Sequence, residues 1–207
     1  TSGSTGDPKG VMLGYRGIVK YLDWIHKKFP FDSRDVFSNQ IPFSFDLSTY
    51  ELFSFLDFGA TIVLFTRAEV SDPNAFIAKL KATCVSVWNT TPSAVMMHLI
   101  NRDFNGSELP HLTKFFFAGE QIASKTVKFV RERFKGSHVY NSYGPTEATN
   151  TVTFIELGED ILDRYSGLLP IGYPKFNSLI KIADPEVDAS GNLVGELHLG
   201  GDNVALG

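Results

Sequence analysis

Apolar positions along the chain follow two alternating rhythms. Ile18, Leu22, Ile25 and Phe29 fall at i, i+4, i+7 and i+11, the spacing of one helical face, and predict a helix over 15–29. Residues 36–41 then read as a strand. Residues 47–58 form a mostly apolar helix that begins near Asp46 and stops at Gly59. Thr61 to Phe65 is β-branched and aromatic, a strand pattern. Asp72-Pro73 marks a helix start, with an aspartate cap and proline in the first turn, and Phe76, Ile77 and Leu80 supply its buried face. The alternation continues with strands at 85–88, 114–117 and 138–141 and helices at 92–100 and 124–134. Such alternation predicts an α/β fold, a mainly parallel sheet covered by helices on both faces. After Asn150 the rhythm changes. Short strand-like runs at 152–155, 179–182 and 195–199, with a turn at 189–192, read as antiparallel β. We therefore expect an α/β subdomain over 1–155 and a smaller, truncated β-rich subdomain over 156–207.

Composition narrows the class. The chain of 207 residues is 43% hydrophobic, ample for a core, and many of its 18 phenylalanines should lie inside. A net charge of −4 argues against a nucleic-acid partner, which usually meets a basic surplus, but not against a nucleotide held in a local basic cradle. The lone cysteine excludes an internal disulfide, and Cys84 is expected in a buried strand as an inert thiol. Histidines at 26, 98, 111, 138 and 198 show no metal-ligand spacing. No apolar run is long enough for a membrane span and no signal peptide is visible, so a cytoplasmic location and no membrane partner are expected. The chain does not begin with Met and opens inside its first motif, as a fragment of a larger protein would.

That first motif is Thr-Ser-Gly-Ser-Thr-Gly-Asp-Pro-Lys-Gly at 1–10. Glycines let backbone N–H groups approach phosphate oxygens, hydroxyls donate further hydrogen bonds, and Lys9 supplies positive charge. The spacing is not a Walker A loop, because the next required glycine would fall on Pro8. Taken alone, the stretch could equally be a Gly/Ser linker. A second motif, Asn-Ser-Tyr-Gly-Pro-Thr-Glu-Ala-Thr-Asn-Thr at 141–151, changes the balance. Tyr143 offers a face for a base and Asn141 an amide for a base edge. Thr146 and Glu147 offer the hard oxygens magnesium prefers, beyond a turn at Gly144-Pro145.

Together these segments resemble the adenylate-forming superfamily, which includes acyl-CoA synthetases, luciferases and the adenylation domains of non-ribosomal peptide synthetases. The resemblance has four parts in order: the loop 1–10, Phe43-Ser-Phe-Asp-Leu-Ser-Thr-Tyr-Glu-Leu-Phe53, the Tyr-Gly-Pro-Thr-Glu block 143–147, and Gly195-Glu-Leu-His-Leu-Gly-Gly201. Val87-Trp-Asn-Thr-Thr-Pro-Ser93 and Phe117-Ala-Gly-Glu120 are similar to D-alanine–carrier-protein ligases and their peptide-synthetase relatives.

The resemblance implies ATP- and Mg²⁺-dependent formation of an aminoacyl-AMP, then transfer to a phosphopantetheine thiol on a carrier protein. It implies that Thr1, Ser2, Gly3, Ser4, Thr5, Gly6 and Lys9 hold the β- and γ-phosphates. Thr146 and Glu147 would meet the α-phosphate and the metal, and with Lys9 would be the catalytic groups. Gly119, Glu120, Asn141, Tyr143 and Gly144 would frame the adenine. The substrate pocket carries over as Asp46, Leu47, Tyr50, Asn89, Phe116, Ala118, Ser142, Asn150 and Thr151, with Asp46 binding the substrate ammonium. Without that context Asp46 would read as a helix cap, Lys9 as a solvated surface residue and Thr146-Glu147 as a helix start. The mixed bulky and small lining suggests a small or medium uncharged side chain. D-alanine ligases usually carry cysteine where Ala118 stands, so strict D-alanine selectivity does not follow. A ribose-gripping aspartate and a C-terminal lysine of the family would lie beyond Gly207. An acyl- or aryl-CoA synthetase is the enzyme alternative, disfavoured by Asp46. A non-catalytic binding module of the same fold is the other, disfavoured by intact Lys9, Thr146 and Glu147.

Overall fold

The computed structural model describes residues 9–207. In chain order the elements are α1 (Tyr15–Lys28), β1 (Val36–Asn39), α2 (Leu47–Phe58), β2 (Thr61–Leu64), α3 (Arg67–Ser71), α4 (Pro73–Ala82), β3 (Val87–Thr90), α5 (Pro92–Leu99), β4 (Lys114–Phe117), α6 (Ser124–Arg133), β5 (His138–Tyr143), β6 (Thr153–Glu156), α7 (Glu159–Arg164), β7 (Tyr173–Pro174), β8 (Ser178–Val187) and β9 (Leu193–Gly201). The first seven strands make one sheet in the order β2-β1-β3-β4-β5-β6-β7, and β8 and β9 pair in a second. From β2 to β5 the pairing is parallel, while β6 and β7 add antiparallel. This is the expected α/β class. Strand pairing in the first sheet runs on through Pro174, and the separate antiparallel pair opens at Ser178.

Strand side chains alternate between two cores. Trp88, Phe115, Phe117 and Val139 pack against Phe76 and Leu80 of α4, Val95 of α5 and Val127 of α6. Their neighbours Val87, Phe116 and Tyr140 face the other way, onto Tyr21, Trp24 and Ile25 of α1 and Tyr50 of α2. Every second residue of these strands is thus apolar on each face, which explains why they read as continuous apolar runs.

Local signals account for most boundaries. The Asp72 carboxylate accepts from the Asn74 and Ala75 amides, with Pro73 in the first turn of α4. Gly59 closes α2 in the left-handed conformation at φ 62°.

Two expectations need correction. The buried stripe of α1 is Gly17, Tyr21, Trp24 and Ile25 rather than the stripe through Ile18 and Leu22. The large rings of Tyr21 and Trp24 claim the core. Gly17 faces the Thr149 hydroxyl, which a Cβ would meet at 3.0 Å. Cys84 is not in a buried strand. It is exposed, in a left-handed turn at φ 53°, ahead of β3. Four residues of β3 suffice to cross the core, so the strand starts at Val87 and leaves Cys84 at the sheet's opposite end from the strands' carboxyl termini.

Candidate active site

The helix between β1 and β2 covers one face, and the helices from β2 to β5 cover the other. The order 2-1-3-4-5 therefore reverses direction between β1 and β3. Loops leaving adjacent strand ends in opposite directions open a crevice, the usual ligand site of such sheets. A cavity of about 470 Å³ lies there, lined by residues that include Gln40, Phe45, Asp46, Thr91, Met97 and Gly119. Gln40 Nε2 spans the crevice floor to Thr90 Oγ1 at 3.2 Å. A second cavity of about 300 Å³ is lined by Asn141, Ser142, Tyr143, Gly144 and Leu168, among others. Gly119 and Glu120 line both, so the two form one cleft.

The substrate-pocket residues named from the sequence gather around the start of α2. Asn150 Nδ2 donates to the Asp46 carbonyl at 2.7 Å and to Thr49 Oγ1 at 3.2 Å. From the other side Asn89 Nδ2 donates to the Leu47 carbonyl at 3.1 Å. Two buried amides thus hold the first turn of α2. Tyr50 and Phe116 lie side by side with ring centres 4.9 Å apart, both buried. Among the described residues the Tyr50 hydroxyl has no hydrogen-bond partner. Thr151 Oγ1 donates to Asn150 Oδ1 at 2.8 Å. Ala118 and Ser142 lie on neighbouring strand ends, beyond the Phe117–Asn141 pair of β4 and β5. Ser142 Oγ is turned to the Phe117 carbonyl.

Asp46 stands at the N-terminus of α2 yet makes no capping hydrogen bond. Its pKa is raised, chiefly by burial. The Thr146 hydroxyl and Leu47 amide partly offset this, and the negative charge of Glu147 adds to the rise. A half-buried carboxylate beside a second carboxylate is a place for a cation.

On the other side of the cleft, Asn141 Nδ2 donates to the Pro170 carbonyl at 2.9 Å, which orients its amide. Tyr143 is 38% exposed, with its ring open to the cavity. Gly119 sits at φ 83°, where glycine is favoured. The Glu120 carboxylate receives the Ser93 amide and hydroxyl at the start of α5, so it braces the rim of the cleft. Gly144 is required by close approach, because a Cβ there would stand 2.2 Å from the Asn150 carbonyl oxygen. The turn it opens carries Thr146–Ala148 as a single 3₁₀ turn, with Glu147 exposed.

Thr1 to Gly6 lie outside the described residues, and Lys9 is exposed at their edge. A strap ties this edge to the Thr146-Glu147 turn. Met12 N–H donates to the Gly207 carbonyl and Leu206 N–H returns to Met12, both at 2.8 Å, while Ala205 N–H donates to the Glu147 carbonyl at 2.7 Å. Among the described residues no cluster of three His, Cys, Asp or Glu side chains could hold a metal unaided. An exposed Glu147 beside Thr146 suits a magnesium ion that takes its remaining ligands from phosphate and water.

The pattern that defines the AMP-binding enzyme family matches residues 1–207. The chain belongs to this family. A D-alanine–D-alanyl carrier protein ligase of Bacillus licheniformis is 39% identical over the whole chain, which spans 41% of that relative's length. The Vibrio cholerae adenylation domain AlmE, solved in complex with glycyl-adenosine-5′-phosphate, superposes with a TM-score of 0.82 at 25% identity, over 100% of this chain and 39% of its own. IdnL7 superposes with a TM-score of 0.83 at 28% identity, over 97% of this chain and 40% of its own. No helix among the described residues is long and apolar enough to cross a membrane.

Several groups that build this cleft carry no signal in the sequence. Gln40 bonds the cavity-lining Thr90, Thr49 and Lys175 bond Asn150 and Thr151, and Asn203 Nδ2 donates to the Ala148 carbonyl. None carries a motif signal. A lone Lys in Tyr173-Pro-Lys-Phe176 looks like any surface lysine.

Proposed function

We propose that the protein activates an amino acid with ATP and magnesium, forming aminoacyl-AMP and pyrophosphate, and then passes the acyl group to the phosphopantetheine thiol of a carrier protein. One observation carries this reading. The Asp46 carboxylate lies at the cleft, is spared from capping and is half-buried. A substrate α-ammonium would neutralise it and reverse the burial cost. A fatty or aryl acid has no such cation to give. The relative named as a carrier-protein ligase and the neighbour holding a glycyl adenylate support the same class.

In this reading Asp46 orients the amino acid so that its carboxylate oxygen faces the α-phosphorus. That oxygen bonds to phosphorus as the bond to the β-phosphate oxygen breaks, and pyrophosphate leaves. Positioning and charge neutralisation suffice, with no protein nucleophile. Tyr143 stacks on the adenine, framed by Gly119, Glu120, Asn141 and Gly144. Lys9, with the hydroxyls and glycine amides of Thr1 to Gly6, holds the β- and γ-phosphates. Thr146 and Glu147 face the α-phosphate and would hold magnesium, which supplies charge neutralisation when bound. In this reading the paired, buried rings of Tyr50 and Phe116 would back the pocket and favour a small side chain. The thiol would approach the acyl carbon through the cavity of about 470 Å³ beside Phe45 and Met97.

The test is pyrophosphate exchange by a protein of the relatives' full length carrying this sequence, run against amino acids of both hands and against simple carboxylic acids. We expect small amino acids to drive exchange. Equal exchange with acids lacking an amino group would overturn the reading. Ala118→Cys should shift kcat/KM toward alanine over larger amino acids, since one added group in an apolar pocket discriminates by roughly 1–3 kcal/mol. An unchanged ratio would remove Ala118 from the pocket.

A further inference from the structure

Lys175 follows β7 and is only 2% exposed. Its Nζ donates to the Thr151 carbonyl at 2.6 Å and stands 5.4 Å from the centre of the Tyr21 ring. Among the described residues a carbonyl and a ring face, rather than a carboxylate, meet this ammonium, and burial lowers its pKa to about 8. Its backbone N–H also donates to the Val152 carbonyl at 2.9 Å. A buried cation without a carboxylate is a poor stabiliser, and an apolar side chain of similar shape would serve a core better. Its place in the fold calls for another reason.

That reason lies in the turn it touches. Thr149 and Asn150 are consecutive non-glycine residues at φ 55° and 66°. Side chains in this region are strained and persist only where surroundings hold them. Thr149 Oγ1 donates to the Asn203 carbonyl at 2.7 Å on one flank, and Lys175 holds Thr151 on the other. Between them, Asn150 Oδ1 accepts from Thr151 Oγ1 and Tyr21 OH, and its Nδ2 grips the Asp46 carbonyl.

We propose that Lys175 is a positioning residue for the acyl pocket: through the Thr151 carbonyl its ammonium holds the 149–151 turn in the form in which Asn150 sets the first turn of α2, and with it Asp46. This rests on the reading that Asp46 meets the substrate ammonium. The relay has four links, Lys175 to Thr151, Thr151 to Asn150, Asn150 to Asp46, and Asp46 to substrate. The relay's side-chain hydrogen bonds end at Asp46, while Asn141 and Glu120 are held by other partners, so its loss should fall more on the amino acid than on ATP.

The experiment uses a protein of the relatives' full length carrying this sequence. Lys175→Met should raise KM for the activated amino acid by at least about tenfold while KM for ATP stays within roughly twofold. Added to Asn150→Ala, it should worsen KM by less than about twofold, because both changes cut the same relay. Independently of catalysis, amide hydrogen exchange at Thr151 and Val152 should speed by about tenfold or more in Lys175→Met while β4 amides keep their protection. Should no amino acid drive exchange in the unsubstituted protein, the functional reading fails, and the amide measurement still judges the turn. Unchanged protection at Thr151 and Val152, fully multiplicative effects of the two substitutions, or equal losses for ATP and amino acid would overturn the proposal. So would a Lys175→Met chain that fails to fold or loses protection evenly, which would make Lys175 a general stabiliser.

Discussion

At Glu51 burial outweighs ionisation. The side chain has no exposed surface, one oxygen accepts from Asn39 Nδ2 at 2.7 Å, and the other has no partner among the described residues. Its pKa is pushed well above the usual carboxyl value of 4.5, first by desolvation, against the opposing Asn39 hydrogen bond. The folded state thus holds this proton more tightly than the unfolded chain. Stability from the group is full below the unfolded pKa and is lost as pH rises through the higher folded one. Glu51→Gln, which stays neutral, should therefore raise the denaturant midpoint at pH 7.5 more than at pH 4.5. Equal shifts at both pH values would show Glu51 to be ionised inside the fold. Asp46 has a raised pKa as well, and in the proposed function its role is to bind. Asp46→Ala should abolish amino-acid-dependent exchange and leave ATP binding nearly unchanged, since stranding the substrate ammonium costs about 3–5 kcal/mol. Retained exchange would return Asp46 to a purely structural place at the helix start.

Elements differ in how much they owe to local chemistry. The Asp72 cap of α4 is local, its carboxylate accepting from the Asn74 and Ala75 amides just after it. Asp72→Ala should cost about 1 kcal/mol of stability and leave kcat and KM unchanged. The turn from Tyr143 to Val152 is the opposite case. Its ends meet through the Val152 amide and Tyr143 carbonyl at 2.8 Å, and Gly144 lies where a methyl group would strike the Asn150 backbone. Gly144→Ala should cost more than about 3 kcal/mol, or open the turn and displace Asn150 and Thr146 together. Denaturant midpoints beside both KM values separate these outcomes. A variant with wild-type stability and kinetics would show that the turn accommodates a side chain.

The whole molecule places its chemistry where the sheet changes direction. Groups from the starts of α2 and α5, the ends of β3, β4 and β5, and the 146–151 turn reach one cleft, so no single element carries the site. The chain spans 41% of the length of the carrier-protein ligase it resembles. On the proposed function, the chain taken alone should form aminoacyl-AMP roughly 10²–10³ times more slowly than a protein of that full length, the usual cost of losing one charge-stabilising group at a transition state. Single-turnover formation of labelled adenylate by the two proteins measures this. Equal rates would mean that residues 1–207 hold the complete catalytic set.

Much of this was legible in order along the chain. The βα alternation, the Asp72-Pro73 start and the stop at Gly59 depend on near neighbours, and local backbone preferences write such features directly into sequence, whereas Asp46, Asn141, Tyr143, Thr146 and Glu147 stood out only through their resemblance to the family's motifs. What only the tertiary structure decided depends on residues far apart. The stripe α1 buries was set by where the Tyr21 and Trp24 rings fit, and Cys84 was left outside because β3 begins after it. The use of Asn89 and Asn150 as clamps on α2, the release of Asp46 from capping, and the burial of Glu51 and Lys175 follow from contacts across the fold. A lysine or glutamate carries no mark of burial in its own neighbourhood. Its environment is made by strands and turns that meet it only after folding, and the cost of desolvating its charge exists only there.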